Sequence, residues 1–339
     1  MTAPDSRSQV QAFLHRQGLL AEGADAELTP LTGGVSSDLW RVDLPGGRSV
    51  CVKSALAQLK VEREWHAPVS RNRVEHDWLR FAAGVAPGQV PRVLAHDGDA
   101  GLFAMEFLPP EHYPVWKSHL LAGRVDVDAA AAVGDLVGRL HSASAAAPDT
   151  AAVFATDDNF EALRIEPYLR ATARVHPDLR ERFDALIPAT TGTHLAVVHG
   201  DVSPKNILLG PDGPVLLDAE CAWFGDPAFD LAFCLNHLLL KAVKLPHRAA
   251  TLRASAQALA AAHARHLDWE PPQAFDGRVA ALLPALALAR VDGTSPVEYL
   301  DTAQRQHVRA TARTLLREPA PTVAEVLARW TRERHSATA

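Results

Sequence analysis

The sequence predicts an α+β chain in two lobes: a small β-rich N-terminal lobe over residues 1–107 and a larger, mostly helical C-terminal lobe over 108–339. Three observations carry this reading. From about Glu27 to Phe107, short apolar runs with β-branched and aromatic residues alternate with turns. After Pro109-Pro110 the chain becomes alanine-rich, with apolar residues at helical spacing. A length of 339 residues also exceeds what one compact core ordinarily holds.

The elements follow in order. LWRVDL and SVCVK, joined by PGGR, read as a hairpin with a Gly-containing turn. NRVEHDWLRF places Val74, Trp78 and Phe81 at helical spacing, and LFAMEF reads as a further strand. A junction near Glu106–Pro110 leads into helices expected over Asp126–Ser144, Glu161–Ile187, Asp230–Lys244, Arg248–Leu267, Phe275–Val291 and Tyr299–Leu316. One short β-like interruption falls at Leu195–Asp218. No internal repeat or low-complexity linker stands out, and a crevice between two such units is a favoured place for a ligand.

Composition excludes several classes. With 47% hydrophobic and 22% charged residues the chain should bury a sizeable core. A net charge of -6 without a long basic run argues against a nucleic-acid partner. Cys51, Cys221 and Cys234 form no C-x-x-C pair and read as reduced thiols. The N-terminus MTAPDSRSQV lacks a basic segment followed by an apolar one, so a cytoplasmic protein is expected. The apolar runs around Leu231–Leu240 and Ala280–Ala289 are too short for a bilayer, which takes about 20 residues, so no membrane partner is expected. His263 and His266 share a helix face, which reads as a solvated face rather than a metal site.

The informative stretch is VVHGDVSPKNILLGPDGPVLLDAE, residues 197–220. His199-Gly200-Asp201 follows an apolar strand, Asn206 comes five residues after Asp201, and Asp218 ends a second apolar strand after a Gly-Pro-Asp-Gly turn. Transfer of a phosphoryl group needs few protein groups: a carboxylate to orient the attacking hydroxyl and oxygen ligands to hold Mg²⁺. Asp201 suits the first task, and Asn206 and Asp218 suit the second. An isolated H-G-D is unremarkable, and Asp or Asn in a turn usually just bonds backbone. The joint pattern H-G-D-x4-N-I-L, a hairpin turn and D-x-E after a buried strand is much harder to obtain by chance.

HGDVSPKNILL…LLDAE resembles the aminoglycoside phosphotransferase / choline kinase-like superfamily, whose members use H-G/N-D-x4-N and D-x-D/E where protein kinases use H-R-D-x4-N and D-F-G. The resemblance runs from about Leu28 to Glu298. It implies a protein-kinase-like fold and an ATP- and Mg²⁺-dependent kinase acting on a hydroxyl of a small molecule, either monomeric or homodimeric. LTGGVSSDLWRV is similar to the superfamily's phosphate-covering loop, with Gly33 and Gly34 admitting phosphate to the backbone and Ser36 and Ser37 as donors. Lys53 stands where the phosphate-pairing lysine of this superfamily stands. Glu75 is its expected partner, with Glu62 and Glu64 as alternatives. The hinge would fall on Met105–Leu108, so Glu106 and Leu108 would meet adenine through main-chain groups. VKSALAQLKVEREWHAPVSRNRVEHDWLRF and DAECAWFGDPAFDLAFCLNHLLLK are further similar to 5-methylthioribose kinases, but Asn206 and the lone Arg290 depart from their pattern.

Beyond this core, Glu220 is expected on the metal, directly or through water, or behind it. Asp230 either caps its helix or fastens the catalytic loop, His199 packs and bonds that loop, and Lys205 is either solvated or in reach of the transferring phosphate. Arg290 and Asp292, in LARVDG, together with Tyr299 and Trp223, are candidate contacts of the acceptor. Helix capping explains the arginine and the carboxylate nearly as well. The acceptor is expected to be a sugar-like or amino-alcohol metabolite, with an aminoglycoside antibiotic as the alternative. A pseudokinase scaffold is disfavoured because Lys53, Asp201, Asn206 and Asp218 are all present.

Overall fold

The structure is a computed structural model, and it describes residues 6–31, 37–55, 71–147 and 149–332. Helix α1 (Ser6–Arg16) precedes an antiparallel sheet of β1 (Glu27–Pro30), β2 (Ser37–Leu44), β3 (Arg48–Ala55), β4 (Val93–Asp97) and β5 (Leu102–Glu106), with α2 (Arg71–Val85) inserted after β3. The strand order is β1-β2-β3-β5-β4. The hairpin expected from PGGR is present, with Trp40 opposite Val52 and Leu39 opposite Lys53.

Side chains alternate across a strand, so this sheet has two different faces. Val42, Leu44, Val50, Val52, Leu102 and Ala104 face α1 and bury Val10, Phe13 and Leu14. Lys53 and its cross-strand partner Phe103 lie on the other face, toward α2. Helix α2 turns Trp78, Leu79 and Ala82 into the large core that continues through the helical half, and Phe103 joins them. The apolar packing therefore groups α2 with the helices rather than with the α1 side of the sheet.

Past Glu106 the chain runs through α3 (Trp116–Leu121), α4 (Val127–Ala145), α5 (Asp149–Val153) and α6 (Asp157–Phe160). The single helix expected over Glu161–Ile187 is instead broken into a wide, π-helical run at Glu161–Arg170, α7 (Ala171–Val175), one tight turn at Pro177–Leu179, and α8 (Arg180–Thr191). Pro167 inside the run and Pro177 after it explain the breaks, since neither ring nitrogen can donate a helical hydrogen bond. Short strands β6 (Ala196–Val198), β7 (Ile207–Gly210), β8 (Gly213–Leu216) and β9 (Trp223–Gly225) fill the expected β-like interval and extend just past it.

The remainder is helical: α9 (Ala228–Lys244), α10 (Ala249–Ala264), α11 (Pro272–Asp292), α12 (Thr302–Arg317) and α13 (Val323–Arg332). Helices α4 and α10 approach so closely that a Cβ on Gly134 would lie 2.1 Å from the Leu259 carbonyl oxygen. That contact places His141 of α4 and His263 of α10 side by side beneath the loop after β6. Among the described residues no helix is long and apolar enough to cross a membrane.

Candidate active site

β6 is a buried, all-apolar strand that pairs with β9 and leads directly into His199, Gly200 and Asp201. The loop that follows is held by its main chain. Asp230, in the first turn of α9, accepts the N–H groups of His199 (2.7 Å) and Gly200 (2.8 Å). Helix α9 begins at Ala228 after Pro227, so Asp230 fastens the loop rather than capping the helix. His141 Nε2 lies 3.2 Å from the same carboxylate, and His263 Nε2 lies 3.0 Å from His141 Nδ1. Since Asp230 only accepts, a line of donated hydrogens runs from His263 through His141 to Asp230. Gly200 adopts φ 77, and a Cβ there would meet the Cys221 carbonyl oxygen at 2.7 Å.

His199 is fixed as a neutral ring. Its Nδ1 accepts the Asp201 N–H at 3.1 Å, so its Nε2 must donate to the Leu217 carbonyl, also at 3.1 Å. Burial lowers its pKa in the same sense, against the pull of Asp230. Trp78 of α2 packs edge-on against it at 4.7 Å. This ring therefore joins the two strands of the site and holds no proton for transfer.

Asp201 is buried, and its two oxygens differ. Oδ2 takes Arg164 at 2.9 Å and Lys205 at 3.1 Å. Oδ1 is buried without a hydrogen-bond partner among the described residues. Burial works to raise this pKa, but Lys205 and Arg164 outweigh it and hold the carboxyl well below the usual carboxylate range. Arg164 also donates to the Gly200 carbonyl. It arrives from the π-helical run, and no motif in the sequence marks it.

The hairpin of β7 and β8 pairs Ile207 with Leu216, and the Leu217 N–H donates to the Asn206 carbonyl at 2.9 Å. That register carries Asn206 and Asp218 to the same end of the hairpin, beside Asp201. The Asn206 side chain donates to the Asp201 carbonyl at 3.2 Å, which leaves its amide oxygen for another partner. Asp218 is the one non-glycine with positive φ among the described residues, at 65°. Such backbone costs on the order of 1 kcal/mol or more and persists where the surroundings impose it.

Lys53 Nζ lies 2.6 Å from Glu75 Oε2 and 2.5 Å from Asp218 Oδ1. The strand lysine, the helical glutamate and the carboxylate after β8 thus meet at one point, although 165 positions separate Lys53 from Asp218. Burial opposes the Lys53 charge, but Asp218, Glu75 and Glu220 together raise its pKa. Burial pushes Glu75 up to about 7, with Lys53 pulling it back. Glu220 gives one oxygen to Arg71 at 3.1 Å.

Other expected residues fall elsewhere. Gly33, Gly34 and Ser36, with the alternatives Glu62 and Glu64, lie outside the described residues. Ser37 opens β2, buried, and its hydroxyl has no partner among the described residues. Glu106 ends β5 opposite Val50, and Leu108 follows on the half-buried strand exit. Asp292 is not brought to Asp201: Arg309 grips it at 2.5 and 2.7 Å and His176 at 2.8 Å. Trp223 is not at an acceptor surface either, because its ring stacks on Phe160 at 4.3 Å and its N–H donates to Asp157. Arg290 does reach the catalytic-loop side, lining a small cavity with Lys205, Lys241 and Tyr299.

Oxygen donors fit Mg²⁺, which takes one or two protein ligands and completes its shell with phosphates and water. Asp218 and the free amide oxygen of Asn206 form such a set. Among the described residues no cluster of three His, Cys, Asp or Glu side chains holds a metal by itself. The fit is therefore to an ion that arrives with a phosphate-bearing ligand.

Known proteins are similar to this chain. The chain is 26% identical over 245 residues to the methylthioribose kinase of Pectobacterium atrosepticum, covering 63% of this chain and 60% of that protein. It is 25% identical over 254 residues to the methylthioribose kinase of Yersinia enterocolitica, covering 67% and 63%. The chain thus spans about 60% of the length of the first of these curated relatives. Among solved structures, amicoumacin kinase hAmiN in complex with AMP-PNP, Ca²⁺ and Ami superposes with a TM-score of 0.56 at 14% identity, covering 93% of this chain and 97% of that one. A choline/ethanolamine kinase family protein from Mesorhizobium loti gives 0.52 at 18%, covering 95% and 97%. At these identities the likeness establishes the fold, the kinase-like fold expected from the H-G-D motif. The signature of the phosphotransferase enzyme family (APH) matches residues 27–239, an interval that holds Lys53, Glu75 and the whole 197–220 hairpin. On that match over more than half its length, the chain belongs to the phosphotransferase enzyme family.

Proposed function

We propose that this protein is an ATP-dependent small-molecule kinase that transfers the γ-phosphate to an acceptor hydroxyl. The observation that carries the reading is the unpartnered, buried Oδ1 of Asp201, beside a lysine shared by Glu75 and Asp218. Phosphoryl transfer through a loose transition state asks for positioning and charge rather than for a strong base. A carboxylate held ionised by Arg164 and Lys205 suits that demand. Its Oδ1 orients the hydroxyl and takes the proton as the bond to phosphorus forms.

Lys53 holds the nucleotide phosphates, with Glu75 fixing its direction, and Asp218 and the Asn206 amide oxygen hold Mg²⁺. The metal, when bound, neutralises charge developing on the transferring group. Glu220, turned onto Arg71, steadies this corner from behind. Main-chain groups at Glu106–Leu108 are offered to adenine where the chain leaves β5. The buried free thiols Cys51, Cys221 and Cys234 favour a cytoplasmic setting.

The test is a metabolite extract incubated with protein, ATP and Mg²⁺, read by mass spectrometry for phosphorylated products. An acceptor-dependent product absent with Asp201→Asn is expected. If nucleotide neither stabilises the protein thermally nor is consumed with any extract, the reading fails.

A further inference from the structure

We infer that the acceptor carries an anionic oxygen group, a carboxylate or phosphate ester, bound in the cavity that Lys205, Lys241 and Arg290 line beside the catalytic loop. The inference rests on the phosphotransferase reading and adds the acceptor's charge to it. Four cations border the cavity: Lys117, Lys205, Lys241 and Arg290. Two of them are balanced. Lys117 pairs with Glu298 at 2.5 Å, and Lys205 pairs with Asp201 at 3.1 Å.

Lys241 and Arg290 make no ion pair with a carboxylate among the described residues, although Glu298 borders the same cavity. Lys241 is 1% exposed, and among the described residues its amine meets the His237 carbonyl, at 3.5 Å, and the Tyr299 ring face, at 5.2 Å. Arg290 is bound through Nη1 to Tyr168 and Ser295, all neutral acceptors, while its Nε is buried without a partner among the described residues. The Tyr299 hydroxyl is likewise buried and unpartnered. A buried lysine, a half-buried arginine and two buried idle donors, Arg290 Nε and the Tyr299 hydroxyl, cost stability unless a ligand completes them. Burial pushes the Lys241 amine down to about 7, with Lys117 and Arg290 adding repulsion, so the strain is already expressed in that group.

A bound oxyanion would offer acceptors to Lys241, Arg290 and Tyr299 from within the cavity, next to Lys205 and through it to Asp201. A polycationic aminoglycoside would meet the wrong sign of charge. An acidic sugar or a hydroxy acid meets the right one.

The experiment first titrates AMP-PNP with Mg²⁺ by thermal shift, and failure of this step counts against the kinase reading alone. With AMP-PNP saturating, so that the nucleotide site is filled, sodium phosphate and sodium acetate are titrated at constant ionic strength against chloride. Saturable stabilisation of the wild type is expected, phosphate outranking acetate for a phosphate-ester acceptor and acetate outranking phosphate for a carboxylate. Lys241→Met should weaken the anion response about tenfold or more, the worth of one charge-assisted hydrogen bond. Glu298→Gln, at an exposed carboxylate, should tighten it about two- to fivefold by freeing Lys117. No saturable anion response in the wild type, an unchanged response in Lys241→Met, or a weaker one in Glu298→Gln overturns the inference while the nucleotide result stands.

Discussion

Replacing Asp230 by Ala should damage both stability and turnover, and the structure sets the sizes. The substitution removes the acceptor from three buried donors: the main-chain N–H groups of His199 and Gly200, and His141 Nε2. Each buried donor left unpaired costs about 1–3 kcal/mol, so the three cost about 3–9 kcal/mol. Unfolding entropy near 2.1 cal/mol/K per residue over 339 residues gives about 0.7 kcal/mol per degree, hence a Tm lower by about 4–13 °C. Asp230→Asn keeps one acceptor oxygen and turns an NH₂ toward a donor, so it should lose about half as much. The loop that carries Asp201 loses its anchor in both variants. Displacement of a positioned group by about 1 Å can cost two orders of magnitude, and kcat should fall tenfold or more with nucleotide affinity nearly unchanged. Thermal melts, nucleotide titration and steady-state assays on the purified variants test this. A Tm within about 1 °C of wild type together with kcat within twofold would show that these donors find other acceptors, and the anchoring argument would be wrong.

Asp201→Asn should lower kcat by about a hundredfold or more while leaving the Kd for AMP-PNP near wild type, since Oδ1 faces the acceptor; calorimetry and product assays separate the two effects. Lys53→Met leaves Glu75 and Asp218 facing each other without a cation, so KM for ATP should rise, or kcat fall, by about tenfold or more; unchanged Michaelis constants refute the assignment. Lys241→Met should be more stable than wild type at neutral pH. Burial depresses the Lys241 pKa from 10.5 to about 7. Between those values the unfolded chain holds a proton that the folded chain has released, so wild-type stability gains from this group as pH rises. The advantage of the variant should therefore be largest near pH 7 and shrink toward pH 10, and an advantage constant with pH in paired melts would contradict it.

The parts of the site that a sequence shows are those that lie close together along the chain. Asn206 and Asp218 flank one hairpin whose register the Gly-Pro-Asp-Gly turn sets, and Asp201 lies in the short loop just before it, so spacing alone brings the three close. Lys53 and Glu75 could be proposed only because a strand and a helix of recognisable period precede them. Arg164 is out of reach, because it meets Gly200 across 36 positions, and Asp201 next to it, through a π-helical run whose wider turn no apolar pattern announces. Asp292 illustrates the reverse error. A carboxylate beside a glycine break looked available for substrate, but α12 brings Arg309 onto it, and a partner on a separate helix leaves no local trace. Trp223 was misplaced for the same reason, since its ring is filled in by Phe160 from a distant turn. The break of the Glu161–Ile187 helix, by contrast, was written in Pro167 and Pro177, which outweigh a good apolar period.

The anchoring of the catalytic loop has a consequence for how such a site can change over generations. Asp230 grips peptide groups, and the hairpin register is fixed by the main-chain bond between residues 206 and 217. Neither attachment reads the identity of side chains 201, 205 or 206. A lineage can therefore exchange those side chains, and with them the reaction or the acceptor, without first rebuilding the frame that presents them. The frame's own residues, Asp230 and Gly200, have no such freedom. Divergence should accumulate on the presented side chains and stall at the positions that hold the loop.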